Sequence, residues 1–252
     1  MTRVDALFKR LKREKRCGLI AYVTCGDGDT VQIVEELEQA GADAIELGIP
    51  FSDPIADGPV IQAASMRALA KGTTTRAVFA IASAIRSKSE IPLIAFSYLN
   101  PVLRYGPAAF ARDAKAAGFD SLLLTDLPPE SAADLRAAMH AEGLGTVFLL
   151  APTSTDTRIR AIDKASDGFV YYVSTTGVTG TRSDLDPALL TRLDAVRGKL
   201  KHPIAVGFGI SRHEHFAMLR DRCDAIVVGS AIVRAVANGE SAGAVVRGIL
   251  GN

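Results

Sequence analysis

Eight short apolar runs recur along the chain, and between them lie stretches whose apolar residues follow helical spacing. The runs are "LIAYVTC" (19–25), "DAIELGI" (43–49), "PLIAFSY" (92–98), "SLLLTD" (121–126), "GTVFLLA" (145–151), "GFVYYVS" (168–174), "PIAVGFG" (203–209) and "AIVVGSA" (225–231). The helical stretches include "TVQIVEELEQAG" (30–41), "ESAADLRAAMHAEG" (130–143) and "PALLTRLDAVRGKL" (187–200). The first two end in glycine, as helices commonly do. Strands that alternate with helices pair in parallel, and runs apolar at nearly every position are covered on both faces. Eight such units in 252 residues predict an α/β fold, a single (β/α)8 TIM barrel, whose usual length is about 250 residues. An open doubly wound sheet would carry a G-x-G-x-x-G turn after its first strand, and "CGDGDT" does not fit that pattern. No linker or low-complexity stretch interrupts the chain, so residues 1–252 are expected to form one domain.

Ahead of the first strand, "MTRVDALFKRLKREKR" sets Val4, Leu7, Phe8 and Leu11 at helical spacing, which predicts a short amphipathic helix. A signal peptide would need an apolar core that this segment lacks, and Asp5 and Glu14 interrupt the basic character of a transit peptide. Two connections are longer than α/β units usually need: residues 50–60 after the second strand, and "TTGVTGTRSDLDP" (175–187) after the sixth. Loops after the strands build the active face of a barrel, so both are lid candidates.

Composition narrows the function. A net charge of +1, with no basic run interleaved with aromatics, argues against nucleic acid and anionic membranes as partners. No run reaches the ~20 apolar residues of a membrane span. Cys17, Cys25 and Cys223 are few and scattered, which fits a reducing, cytoplasmic compartment. Cys25 stands near a strand end and reads either as a nucleophile or as a small buried thiol.

Against that background Glu46 stands out, a charge inside an apolar strand. Alternation along 43–49 turns Ile45, Leu47 and Ile49 toward the helices and Ala44, Glu46 and Gly48 into the barrel. A carboxylate in an apolar pocket has a raised pKa, which suits acid–base work near neutral pH. The competing reading is a glutamate paired with a barrel Arg or Lys, but the other seven runs contain neither. Asp57, in "ADGP" on the loop beside that strand end, is either a second carboxylate at the same mouth or the side chain of an Asx-type turn with Gly58. Asp53, before Pro54, reads as a turn residue.

Glycine-rich strand ends suggest an anion site. "GFGIS" (207–211) and "GSAIV" (229–233) end the seventh and eighth strands, where barrels usually bind phosphate, and Ser230 adds a donor. "GVTG" (177–180) could close over the same group. No lysine lies at a strand end, so a Schiff-base aldolase lacks its nucleophile. His140, His202, His213 and His215 fall in helices or ahead of a strand, and "RHEHF" has the wrong spacing for a metal site. These features together describe carboxylate chemistry on a phosphorylated substrate.

The segments "GADAIELGIPFSDPIADGPVIQ" (41–62), "YYVSTTGVTG" (171–180), "GFGIS" (207–211) and "VVGSAIV" (227–233) resemble the α subunit of tryptophan synthase. The resemblance runs from about "LFKRL" to the last strand. It implies retro-aldol cleavage of indole-3-glycerol phosphate to indole and glyceraldehyde 3-phosphate, in tryptophan biosynthesis, with no cofactor in this chain. By that resemblance Glu46 serves as acid and base at the substrate's hydroxyl and indole C3. Asp57 stabilises positive charge developing at the indole nitrogen, and Tyr171 lies near both carboxylates. Gly180, Gly209, Gly229 and Ser230 match phosphate-binding positions, while Phe96, Leu123 and Phe208 are expected to wall the indole pocket. The implied partner is a β subunit carrying pyridoxal phosphate, which takes the indole through a tunnel in an α2β2 complex. Residues 50–60, 175–187 and Asn100 resemble the surfaces that meet it.

The first strand departs from the family, which usually has a proline before the aromatic and Asp-Pro after the glycine. The C-terminal helix, ending "RGILGN", is expected to be shorter than in many members. An indole-glycerol-phosphate synthase of the same pathway would need an interior strand-end lysine, which is missing. A barrel that only activates the β subunit would not need both Glu46 and Asp57.

Overall fold

The structure, a computed structural model, describes residues 2–173, 187–207 and 209–252, with backbone alone at 187–189. Among these residues nine strand segments form one all-parallel sheet: β1 (Gly18–Thr24), β2 (Ala44–Gly48), β3 (Leu93–Ser97), β4 (Ser121–Leu124), β5 (Gly145–Val147), β6 (Leu149–Leu150), β7 (Val170–Val173), β8 (Ile204–Gly207) and β9 (Ala225–Val228). The helices around it are α1 (Arg3–Glu14), α2 (Thr30–Gln39), α3 (Pro59–Ala70), α4 (Thr75–Arg86), α5 (Leu99–Tyr105), α6 (Pro107–Ala116), α7 (Ala133–Ala141), α8 (Asp156–Ala165), α9 (Pro187–Arg197), α10 (His213–Leu219), α11 (Ser230–Ala237) and α12 (Ala242–Leu250).

The eight apolar runs all form strands, and the fifth is divided. β5 pairs with β4 and β6 pairs with β7, with Phe148 between them. That run therefore closes the barrel, its first half on one neighbour and its second half on the other. Alternation passes through the break: Val147 and Leu149 face the interior cluster, Phe148 and Leu150 the helix-facing one.

Period-two alternation sorts the whole sheet in this way. Ile45, Leu47 and Ile49 pack with α2 and α4 residues such as Val34, Leu37 and Val78. Ala44 joins Ile20, Tyr22, Ile94, Phe96, Leu123, Tyr171, Ala205 and Ala225 inside the barrel. At the amino-terminal end of the strands the interior is sealed by α1. Its buried face is the predicted one, Val4, Leu7, Phe8 and Leu11, and Phe8 lies 5.2 Å from the ring of Phe169. A capping box between Thr2 and Asp5 starts this helix. Arg10 and Arg16 then anchor it to the buried Asp43, at 3.0 and 2.6 Å.

Gly41 and Gly143, the two predicted helix ends, lie at φ 103° and 69°, the left-handed region that glycine enters without steric cost. The connection after β2 is shorter than the 50–60 expected from sequence. Pro59 occupies the first turn of α3, where its fixed φ and missing N–H are favourable, so the helix begins there. Residues 174–186, nearly all of the second long connection, lie outside the described residues.

Candidate active site at the carboxyl ends of the strands

Glu46 is the third residue of β2, paired in register with Tyr22 on one side and Ile94 on the other. Its side chain is fully buried and neither carboxyl oxygen has a hydrogen-bond partner. No Arg, Lys or His among the described residues forms an ion pair with it, so the salt-bridge reading of this residue fails. Burial without compensation disfavours the charged form and pushes the carboxyl from its ordinary 4.5 up to about 8. At neutral pH Glu46 is a protonated acid held inside the barrel.

Asp57 reaches the mouth from the loop after β2. That loop is ordered by its own backbone, with Asp57 N–H donating to the Pro54 carbonyl at 3.0 Å. Gln62 of α3 donates to the Asp57 carbonyl at 2.9 Å. The carboxylate does not fold back onto Gly58. Instead it accepts a hydrogen bond from the Tyr98 hydroxyl at 2.9 Å, and that hydroxyl accepts in turn from the Ala56 N–H at 3.0 Å. Burial raises the Asp57 carboxyl from 3.8 to about 6, and the Tyr98 bond partly offsets the rise. The Tyr98 ring also packs on Phe51, 5.2 Å between centroids, which clamps both ends of the loop. Asp53 is exposed, and its carbonyl accepts from Ile55 N–H in a turn, as expected of it.

Two phenols complete the interior at this level. Tyr22 and Tyr171 are both buried, at 6% and 5% exposure, and both hydroxyls are held well above the usual phenol range. Burial is the main cause, and the charges of Glu46 and Asp57 both add to it in each case. Each ring lies across a glycine of the next strand. A methyl at Gly48 would come within 2.9 Å of Tyr22 Cε2, and one at Gly207 within 2.6 Å of Tyr171 Cε1. Small residues at these inward positions are what admit the two rings.

Phe96 and Leu123 are buried neighbours across β3 and β4, both inside the barrel, and Phe96 meets Tyr22 edge-on at 5.1 Å. Gly229 caps α11 at the mouth with no side-chain bond at that cap, and Ser230 is the first helical residue. Gly209 has φ 76°, and a Cβ there would meet nothing within 4 Å. Gly180 and Phe208 lie outside the described residues. Cys25 is buried, with its thiol pushed well above the usual range by burial, which makes it packing rather than a nucleophile.

Tyr22 and Tyr98 are the site residues that sequence reasoning passed over. Tyr22 shares the inward parity that singled out Glu46, and "LIAYVTC" carries that signal. Tyr98 lies just past β3, and nothing local marks a contact with a residue 41 positions away. Among the described residues, no group of three or more His, Cys, Asp or Glu is placed to hold a metal. No described helix is long and apolar enough to cross a membrane.

Glu46 and Asp57 thus both act on the buried phenols of Tyr22 and Tyr171, and Gly229 stands at the start of α11. Residues 8–248 match the family of the tryptophan synthase alpha chain. The chain belongs to this family. A tryptophan synthase alpha chain from Solibacter usitatus is 55% identical over 246 residues, spanning 96% of this chain and 92% of the relative. The one from Burkholderia multivorans is 43% identical, spanning 97% and 92%. Among solved structures, the tryptophan synthase α2β2 complex of Pyrococcus furiosus contains a chain that superposes with a TM-score of 0.88 at 39% identity, covering 93% of this chain and 98% of that one. Mycobacterium tuberculosis tryptophan synthase gives 0.90 at 37% identity, covering 99% and 97%.

Proposed function

We propose that this chain cleaves indole-3-glycerol phosphate to indole and glyceraldehyde 3-phosphate, with Glu46 as the proton donor and acceptor and Asp57 as the partner of the indole nitrogen. The observation that carries the reading is the Glu46 carboxyl, fully buried, unpartnered and protonated up to about pH 8. Indole leaves poorly as a carbanion. Transfer of the Glu46 proton to ring carbon 3 converts it to a cation whose charge is shared with the ring N–H. Asp57, ionised above about 6, faces that charge. The Glu46 carboxylate then takes the proton of the adjacent side-chain hydroxyl while the carbon–carbon bond breaks. The bonding pair returns to the ring as neutral indole, the oxygen becomes the aldehyde, and Glu46 ends protonated as it began. Two carboxylates with separated pKa values divide the work in this way.

Gly209, Gly229, Ser230 and Gly180 would hold the phosphate, with the α11 N–H groups facing it. Phe96, Leu123 and Phe208 would enclose the ring, with Tyr171 beside the carboxylates. The reaction needs no cofactor from this chain. The β subunit supplies pyridoxal phosphate and consumes the indole in an α2β2 complex. Its contact surface would include the loop ending at Gly58, residues 175–187 and Asn100, where Ile55 and Leu103 stand exposed at 80% and 55%. A cytoplasmic setting follows from this biosynthetic role.

Release of indole from indole-3-glycerol phosphate by the isolated chain or the α2β2 complex tests the reading, and no release from either would end it. The pH profile of kcat/KM should be bell-shaped. It rises as Asp57 ionises near about 6 and falls as Glu46 loses its proton near about 8. Tyr98→Phe removes the bond that stabilises ionised Asp57, so the acid limb should move up by about one pH unit while the alkaline limb stays. An unmoved acid limb would separate Tyr98 from Asp57. Ser230→Asp places a negative charge at the helix start and should raise KM by at least ~10-fold through repulsion of the phosphate. Unchanged KM would put the phosphate elsewhere.

A further inference from the structure

Tyr22 is placed where a packing residue alone would not need an oxygen. Its backbone pairs with Glu46 across β1 and β2, and its ring extends over Gly48, one inward step nearer the mouth. The base of the ring faces Gly229, where a Cβ would sit 3.5 Å from Tyr22 Cβ, and its edge meets Phe96. It therefore stands between the group that breaks the bond, the proposed phosphate site and the proposed indole wall. The part of the substrate that spans those three is the three-carbon side chain with its two free hydroxyls.

The hydroxyl itself is incompletely paired. Its oxygen accepts from Thr24 Oγ1 at 3.4 Å, and its own proton has no acceptor among the described residues. Both Glu46 oxygens lack a hydrogen-bond partner, and the Asp57 carboxylate is taken by Tyr98. A buried donor without an acceptor costs free energy, and a phenylalanine would fill the same space without that cost. We propose that the Tyr22 hydroxyl donates a hydrogen bond to a hydroxyl oxygen of the substrate's glycerol chain. It thereby selects the hydroxylated side chain over an unsubstituted alkyl phosphate. Thr24 orients the phenol by donating to it, and the phenol stays neutral while it donates. This inference rests on the substrate proposed above.

The test compares Glu46→Gln with Glu46→Gln/Tyr22→Phe, in which the substrate is bound but not cleaved, by calorimetric titration with two ligands, indole-3-glycerol phosphate and indole-3-propyl phosphate, which lacks both side-chain hydroxyls. The Glu46→Gln parent should bind the hydroxylated ligand at least ~10-fold more tightly than the propyl analogue. In the double variant that affinity should fall by roughly 10–30-fold, while affinity for the analogue stays within about twofold. Intact analogue binding also shows that the variant's pocket is folded. Equal losses for both ligands would make Tyr22 a packing residue and overturn the proposal, as would no loss for either. A wild type that binds these ligands but releases no indole would end the functional reading, and the affinity comparison would still decide the role of Tyr22.

Discussion

Glu46→Gln lowers the rate of indole release by at least ~10²–10⁴-fold, with little change in affinity for the substrate. Glutamine preserves the size and the buried position but can neither give up a proton to ring carbon 3 nor accept one from the hydroxyl. The loss falls on kcat because the interaction removed is one made during bond breaking. Among the described residues nothing else in the interior substitutes for it. The phenols of Tyr22 and Tyr171 are held well above their ordinary range, and Asp57 is engaged by Tyr98 and largely ionised at neutral pH. Single-turnover assays with excess enzyme measure the step directly, and a variant retaining most of the rate would remove Glu46 from the chemistry.

The same substitution should change how stability depends on pH. The Glu46 carboxyl titrates near about 8 when folded and near its ordinary 4.5 when unfolded, so the folded state binds the extra proton between those values. Its contribution is fully present below 4.5 and is lost as pH rises toward about 8. By pH 7 the loss amounts to about 3 kcal/mol, and it approaches about 5 kcal/mol above pH 8. Glutamine carries no such dependence, since its buried amide costs the same at every pH. Urea unfolding of the two proteins from pH 5 to 9 should therefore show wild-type stability falling relative to the variant by roughly this amount. Parallel curves would mean that Glu46 has an ordinary pKa in the folded protein.

Much of this site could be read from the chain because strand alternation is a local property. Once 43–49 is a strand, the parity of Ile45 and Leu47 fixes the direction of Glu46, and the absence of Arg and Lys in the other strands leaves it unpaired. The seal at the opposite end was equally legible, since the spacing of Val4, Leu7, Phe8 and Leu11 states which face of α1 is buried. Asp57 was not legible in this way. A loop carboxylate before glycine satisfies an Asx turn as well as a catalytic role. The bond from Tyr98 takes the carboxylate away from the turn, across a distance in sequence that no local pattern spans. The division of the fifth strand at Phe148 follows from closing the barrel, a property of the whole sheet rather than of "GTVFLLA". Pro59, in the first turn of α3, ends the first long loop before residue 60.

The account stands on a buried glutamic acid that keeps its proton at neutral pH. Infrared difference spectroscopy between pH 5 and 9, with Glu46→Gln used to identify the band, reads that proton through the carboxylic C=O stretch. The expected result is a band assigned to Glu46 that persists at pH 7 and disappears with a midpoint near about 8. A band already lost by pH 6, as for a glutamate in its ordinary range of about 4 to 5, would contradict the account at its centre.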